Sequence, residues 1–246
     1  MNRNLPDYLF QFNQLSFERT QEKFRKRKIL DLIYQHKTDR GKLLEVGPGV
    51  NPLFPLLDMF DHTITLEPIH EIFQWLTNSY NQKSNVQIVN SDLEKFISNN
   101  TERRFNTVIL SSVLHEIPNP EIILEMIHST LEVGGQLYIV VPNNQSVHRL
   151  TGEKIGIIGS LNELTETEIK MQQFSSYSPR ILGNQLENNG FKIIDMVTSF
   201  IKPLPHAGMQ EALDNSLLSE GDLEFLYKLS DLMPGFGSEI FGVAIK

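Results

Sequence analysis

Leu43-Leu44-Glu45-Val46-Gly47-Pro48-Gly49-Val50-Asn51-Pro52 joins a short apolar run to a glycine turn. Gly47 and Gly49 let the backbone adopt angles closed to other residues and let a ligand approach closely. Asn51 is placed to cap a helix that Pro52 can begin. The free N–H groups of such a helix start suit a carboxylate or phosphate. Two glycines at this spacing also fit a plain structural turn, so the stretch needs company before it means a ligand.

The company lies on either side. Apolar runs over 42–46, 63–67, 86–90, 106–110 and 136–141 are short and buried in character, as parallel strands are. Helical spacing intervenes, with Ile72, Trp75 and Leu76 over 69–79 and Ile122, Ile123, Met126 and Ile127 over 119–131. Gly134-Gly135 is read as ending that second helix. Ser178-Pro179 signals a helix start and Gly190 its end. Two late strands, 191–201 and 238–245, flank a helix built on Leu223, Phe225, Leu226 and Leu229. The alternation predicts an α/β fold with a mostly parallel sheet and helices on both faces.

In open α/β sheets ligands bind outside the carboxyl ends of the strands. That rule aligns the glycine turn with Glu67, Asp92 and Ser111, each at a successive strand end. Glu67 offers two acceptor oxygens side by side, which match a ribose diol. An exposed strand-end acid is the plainer alternative. In Asn90-Ser91-Asp92-Leu93, Asp92 could accept from an adenine amino group while Leu93 packs on the ring, or could simply cap a helix. A dinucleotide fingerprint would want a third glycine where Pro52 stands, which argues against a nicotinamide cofactor.

The chain has 246 residues, ordinary hydrophobic and charged content and no cysteine. One domain over 1–246 is expected, with a helical cap over 1–40 and an insertion over 142–177 acting as a lid or substrate-recognition segment. Without cysteine there is no disulfide, thiolate metal site or cysteine nucleophile, and a reducing compartment is favoured. A net charge of −8 disfavours nucleic acid as substrate. The basic run Lys23-Phe24-Arg25-Lys26-Arg27-Lys28 is read as a solvated helix face. No apolar run reaches the roughly 18 residues of a membrane span, and no signal peptide is visible, so a cytoplasmic location is expected.

The set of motifs resembles the class I S-adenosylmethionine-dependent methyltransferases over roughly residues 40–145. Leu43 to Gly49 is similar to that family's glycine motif, Ser111 to Pro120 to its fourth motif, and Leu131 to Val140 to the segment that follows. The resemblance implies a Rossmann-like, seven-stranded sheet with an antiparallel last strand. It implies S-adenosyl-L-methionine as cofactor, bound by Glu45, Gly47, Pro48, Gly49, Glu67, Pro68, Asp92, Leu93 and Ser111. Asn51 departs from the third glycine of many members. Pro142 to Leu150 and Ile201 to Pro205 look like small-molecule, ubiquinone-type O-methyltransferases. That likeness implies a small acceptor from surface-polysaccharide, quinone or natural-product biosynthesis.

Methyl transfer needs the acceptor held in line with a sulfonium carbon, and a base only when a proton must leave. His115 and Glu116 are the catalytic candidates, His115 as base. Some ubiquinone-type relatives hold a divalent metal with an acid–histidine pair here. The order is reversed in this chain, and no metal is expected. His148, Arg149, Tyr177 and His206 are substrate-binding candidates, Arg149 as a clamp on a carboxylate or phosphate. Phe10, Phe12 and Phe17 could close over the cofactor or merely pack. A homodimer is compatible with the sequence. The alternatives are N- or C-methylation, a non-catalytic S-adenosylmethionine-binding subunit, and a nicotinamide oxidoreductase.

Overall fold

The computed structural model describes residues 17–36, 40–80 and 84–246. Phe10 and Phe12 lie outside them. Helix α1 (Glu18–Gln35) leads into β1 (Lys42–Val46), a 3₁₀ turn (Phe54–Leu56), β2 (His62–Leu66), α2 (His70–Tyr80), β3 (Val86–Val89) and α3 (Leu93–Ser98). Then come β4 (Phe105–Ser111), a 3₁₀ turn (Leu114–Glu116), α4 (Pro120–Thr130) and β5 (Leu131–Pro142). The insertion contributes α5 (Val147–Lys154) and α6 (Glu166–Lys170). The chain finishes with α7 (Pro179–Asn188), β6 (Lys192–Ser199), α8 (His206–Asp214), α9 (Glu220–Leu232) and β7 (Glu239–Ile245).

The strands form one seven-stranded sheet of order β3-β2-β1-β4-β5-β7-β6. Strands β1 to β5 pair in parallel, and β7 runs antiparallel to both β5 and β6. Successive side chains point to opposite faces, so each central strand feeds two cores. Leu44, Val46, Val108, Leu110, Leu137, Ile139 and Val141 pack on one face. Leu43, Ile109, Tyr138, Val140, Phe241 and Val243 pack on the other, with Ile29, Leu32 and Ile33 of α1. Phe17 is fully buried with Phe24, Phe200, Met209 and Leu223, and so serves packing between α1, α8 and α9.

Three local expectations are corrected. No α-helix follows Pro52; only the short 3₁₀ turn forms, and its leading amides are already bonded, as described below. Strand β5 begins at Leu131, ahead of Gly134-Gly135; its register with β4 shifts between Phe105 and Thr107, so the glycines lie in an irregularity inside the strand. The basic run of α1 is a solvated face only in part. Arg27 pairs with Glu224 of α9 and Lys23 with Glu220, while Arg25 is buried.

Candidate active site

Strands β1 and β4 are neighbours whose following connections run to opposite sides of the sheet, which is where such folds open a crevice. A cavity of about 1490 Å³ lies there. It is lined by Gly47, Pro48, Gly49, Glu67, Pro68, Asp92, Leu93 and Ser111, so the strand-end residues of the sequence reading come together on one wall.

Gly47 continues the ladder by donating its N–H to Leu66 O at 2.9 Å, then turns with φ +62°. A Cβ there would stand 3.0 Å from Val113. Gly49 also has positive φ, +60°, and open space where a side chain would be. Glu67 is buried at the end of β2, and its two oxygens accept from different loops. Gly49 N–H donates to Oε2 at 3.2 Å and Ile69 N–H to Oε1 at 2.8 Å. The carboxylate plane is thereby fixed against the glycine turn. Asn90 Nδ2 donates to Glu67 O at 2.8 Å and ties the ends of β2 and β3 together.

Asp92 caps α3, accepting from Lys95 N–H at 2.7 Å, and lines the cavity as well. Ser111 ends β4, and Ser112 beside it holds φ +60°, a strained conformation for a non-glycine at a cavity wall.

Glu45 lines the cavity too, and its carboxylate engages the glycine loop. It accepts from Leu53 N–H at 2.6 Å, from Phe54 N–H at 3.2 Å and from Thr65 Oγ1 at 3.3 Å. The amides that a helix start would have offered to an anion are thus satisfied by Glu45. Burial pushes its pKa up to about 7 despite those donors. Asn51 donates to Glu22 Oε2 at 2.5 Å and Lys26 Nζ to Pro52 O at 3.2 Å, so α1 latches the glycine loop from outside.

His115 and Glu116 form the 3₁₀ turn after β4, are both buried, and line the cavity. The carbonyl of His115 accepts from Phe174 N–H at 2.8 Å, which docks the far end of the insertion onto this turn. The insertion itself is rooted by a bridge between Asn143 and Tyr177. Among the described residues no group of three or more His, Cys, Asp or Glu side chains is arranged to hold a metal.

The four substrate candidates separate. His148 and His206 line the cavity. Arg149 touches it, but its guanidinium is committed elsewhere. Nη1 donates to both oxygens of Glu168 at 2.7 Å, and Nη2 donates to Leu161 O and Glu163 O at 3.1 and 3.0 Å. It staples the insertion together, since Glu168 is also half of a capping box with Thr165. Tyr177 does not line the cavity. It is buried against the sheet, its hydroxyl donates to Gln185 at 3.0 Å, and burial raises its pKa to about 12.

A second group of lining residues was not foreseen. Arg25 donates to Glu239 Oε1 at 2.5 Å and to Glu18 Oε1 at 2.8 Å. Burial alone would lower the Arg25 pKa, but Glu239 and Glu18 more than offset it and hold it above its usual value. Burial holds Glu239 above its usual value, whereas the charge and hydrogen bond of Arg25 overcome burial at the more exposed Glu18 and lower its pKa. Lys202, 3% exposed, donates to Gln21 Oε1 at 3.1 Å. The only sequence signal was helical spacing, which puts Glu18, Gln21 and Arg25 on one face of α1.

Residues 17–196 match the family described as "Methyltransferase domain". No curated protein matches the chain by sequence. Solved structures of similar fold include the plantazolicin methyltransferase BpumL in complex with SAH (TM-score 0.63, 16% identity, covering 98% of this chain and 90% of that one). Another is N-methyltransferase NodS from Bradyrhizobium japonicum WM9 with S-adenosyl-L-homocysteine (0.58, 12% identity, 97% of each chain). A putative sarcosine dimethylglycine methyltransferase from Galdieria sulphuraria is also similar (0.61, 11% identity, 90% and 85%). With its family match covering most of its length, the chain belongs to the methyltransferase-domain family, as a class I S-adenosylmethionine-dependent methyltransferase.

Proposed function

We propose that this protein methylates a small-molecule acceptor, with the cofactor lying across the ends of β1 to β4. The observation that carries this is the Glu67 carboxylate, held by the amides of Gly49 and Ile69 on the wall of one large cavity. The residues present fit the cofactor. Gly49 leaves its side-chain space open, Glu67 can accept from a pair of hydroxyls, and Asp92 with Leu93 supplies an acceptor beside an apolar wall. When bound, S-adenosylmethionine supplies a methyl carbon on a cationic sulfur, already activated for displacement.

The protein's own part is then binding, orientation and exclusion of water. Glu67 fixes the ribose and Asp92 the adenine end. Pro48 and Pro68 shape the walls, and Ser111 ends the strand under the cavity floor. Glu45 acts indirectly, by folding the turn. The insertion over 142–177 serves as a lid whose apolar residues Ile158, Leu164 and Met171 line the cavity. Helix α1 serves as a cap latched to the glycine loop. Oxygen is the preferred acceptor atom, because His115 lines the cavity and is of the residue type that can take a hydroxyl's proton. Nitrogen is the second reading, since a neutral amine needs no base, and NodS, of similar fold, is an N-methyltransferase.

Calorimetric titration with S-adenosylhomocysteine tests the assignment. Glu67→Ala is expected to weaken binding by about tenfold or more, the scale of charge-assisted hydrogen bonds lost. Unchanged affinity would remove Glu67 from the cofactor site.

A further inference from the structure

The cavity continues past the strand-end wall into a chamber between α1, the start of α5, the segment after β6 and the start of β7. Lys202, Gln21, His148, His206, Ser238 and Glu239 line it. The segment that delivers Lys202 leaves β6 through Phe200, which holds φ +62°. It is fixed on both sides, since Ser238 N–H donates to Phe200 O at 2.8 Å and Ile201 N–H to Leu226 O at 3.0 Å. His148 braces it too. Its Nδ1 lies 3.2 Å from Ser146 Oγ, and the ring also bonds the Lys202 backbone.

The charges here are unequally matched. Arg25 has two carboxylates, Glu18 and Glu239. Lys202 has a carboxamide oxygen, and among the described residues no carboxylate lies within ion-pair distance of it. That buried ammonium has lost water, and the carboxylates that pull on it most, Glu18 and Glu239, are in direct contact with Arg25 instead. Burial, with the charge of Lys202, keeps both histidines neutral, His148 near a pKa of about 2 and His206 near about 3. His206 Nδ1 and Ser238 Oγ are buried with no hydrogen-bond partner among the described residues. Burial lowers Lys202 itself to about 8, against the opposing pull of Glu18 and Glu239, so it still carries its proton at neutral pH. The outer wall is different in kind: Ile155, Ile157 and Leu204 line the cavity while standing exposed at its rim.

We propose that this chamber is the acceptor subsite, and that Lys202, assisted by His206 and Ser238, selects an acceptor bearing a carboxylate on an aliphatic body. The proposal rests on the methyltransferase reading and names the acceptor class within it. The selecting cation is Lys202, where the sequence pointed to Arg149.

The test is calorimetric titration of the full chain, saturated with S-adenosylhomocysteine, by hexanoate, hexanamide and hexylammonium. Hexanoate is expected to bind about tenfold or more tighter than the other two, as a charge-assisted contact requires. Lys202→Met should abolish that preference and Lys202→Arg should retain it, with S-adenosylhomocysteine affinity unchanged in both. Equal affinity for the three probes in the wild-type protein, including no binding of any, overturns the proposal. So does a hexanoate preference that survives in Lys202→Met. The wild-type comparison decides even if a variant fails to fold. Loss of S-adenosylhomocysteine binding by the wild-type protein would strike the methyltransferase reading instead, and the probes can then be titrated into the unloaded chain.

Discussion

The two halves of the cavity are made by different means. The cofactor half is built from strand ends, each group sitting at the end of a parallel strand or within three residues past it. Its geometry is held by backbone amides: Gly47 to Leu66, Gly49 and Ile69 to Glu67, Leu53 and Phe54 to Glu45. The proposed acceptor half is built from side chains that arrive from distant parts of the chain. Arg25 meets Glu239 across 214 positions and Lys202 meets Gln21 across 181. One half follows from the fold. The other is assembled on it by ion pairs and buried polar contacts.

The sharpest way to break this contrast is Arg25→Ala. It leaves Glu18 and Glu239 buried without their cation, and removing one partner of a buried pair costs about 3–5 kcal/mol. For a chain of this size the melting temperature should fall on the order of 10 °C. Cofactor affinity of the folded fraction should hold. A neutral outcome would show that the cluster is not buried in solution.

A smaller effect tests the cofactor half. The Glu45 carboxyl ionises at about 7 in the folded chain against 4.5 as the reference, because burial disfavours its charged form. Between those values the unfolded chain gives up the proton and the folded chain keeps it. Stability from this group is therefore full below pH 4.5 and declines as pH rises to 7, by up to about 3 kcal/mol. Glu45→Gln does not titrate. Its deficit in melting temperature relative to the wild type should be largest near pH 4.5 and narrow by pH 7.5. A pH-independent deficit would mean that Glu45 stays ionised in the turn.

The same contrast explains what could be read in advance. Parallel strands buried on both faces leave short apolar runs, and the rule that ligands sit at their carboxyl ends did the rest for Gly47, Glu67, Asp92 and Ser111. Seven strands were legible for that reason, while the antiparallel last strand was implied by the resemblance to the methyltransferases. The helix at Pro52 was misplaced because no periodic pattern distinguishes a helix start from a turn whose amides are taken by an upstream carboxylate. The basic run of α1 was misread because Arg25 looks like its solvated neighbours until Glu239, on the last strand, is brought against it. The commitment of Arg149 to its own loop was hidden for a related reason: whether a cation faces a cavity or its own loop depends on which carboxylates the fold places nearby, and composition does not carry that.

The most direct measurement of the central claim is a pair of calorimetric titrations of the wild-type chain, one with S-adenosylhomocysteine and one with NAD. The strand-end set, with Pro52 in place of a dinucleotide glycine, calls for saturable one-to-one binding of S-adenosylhomocysteine and none of NAD. Binding of NAD without S-adenosylhomocysteine would contradict it.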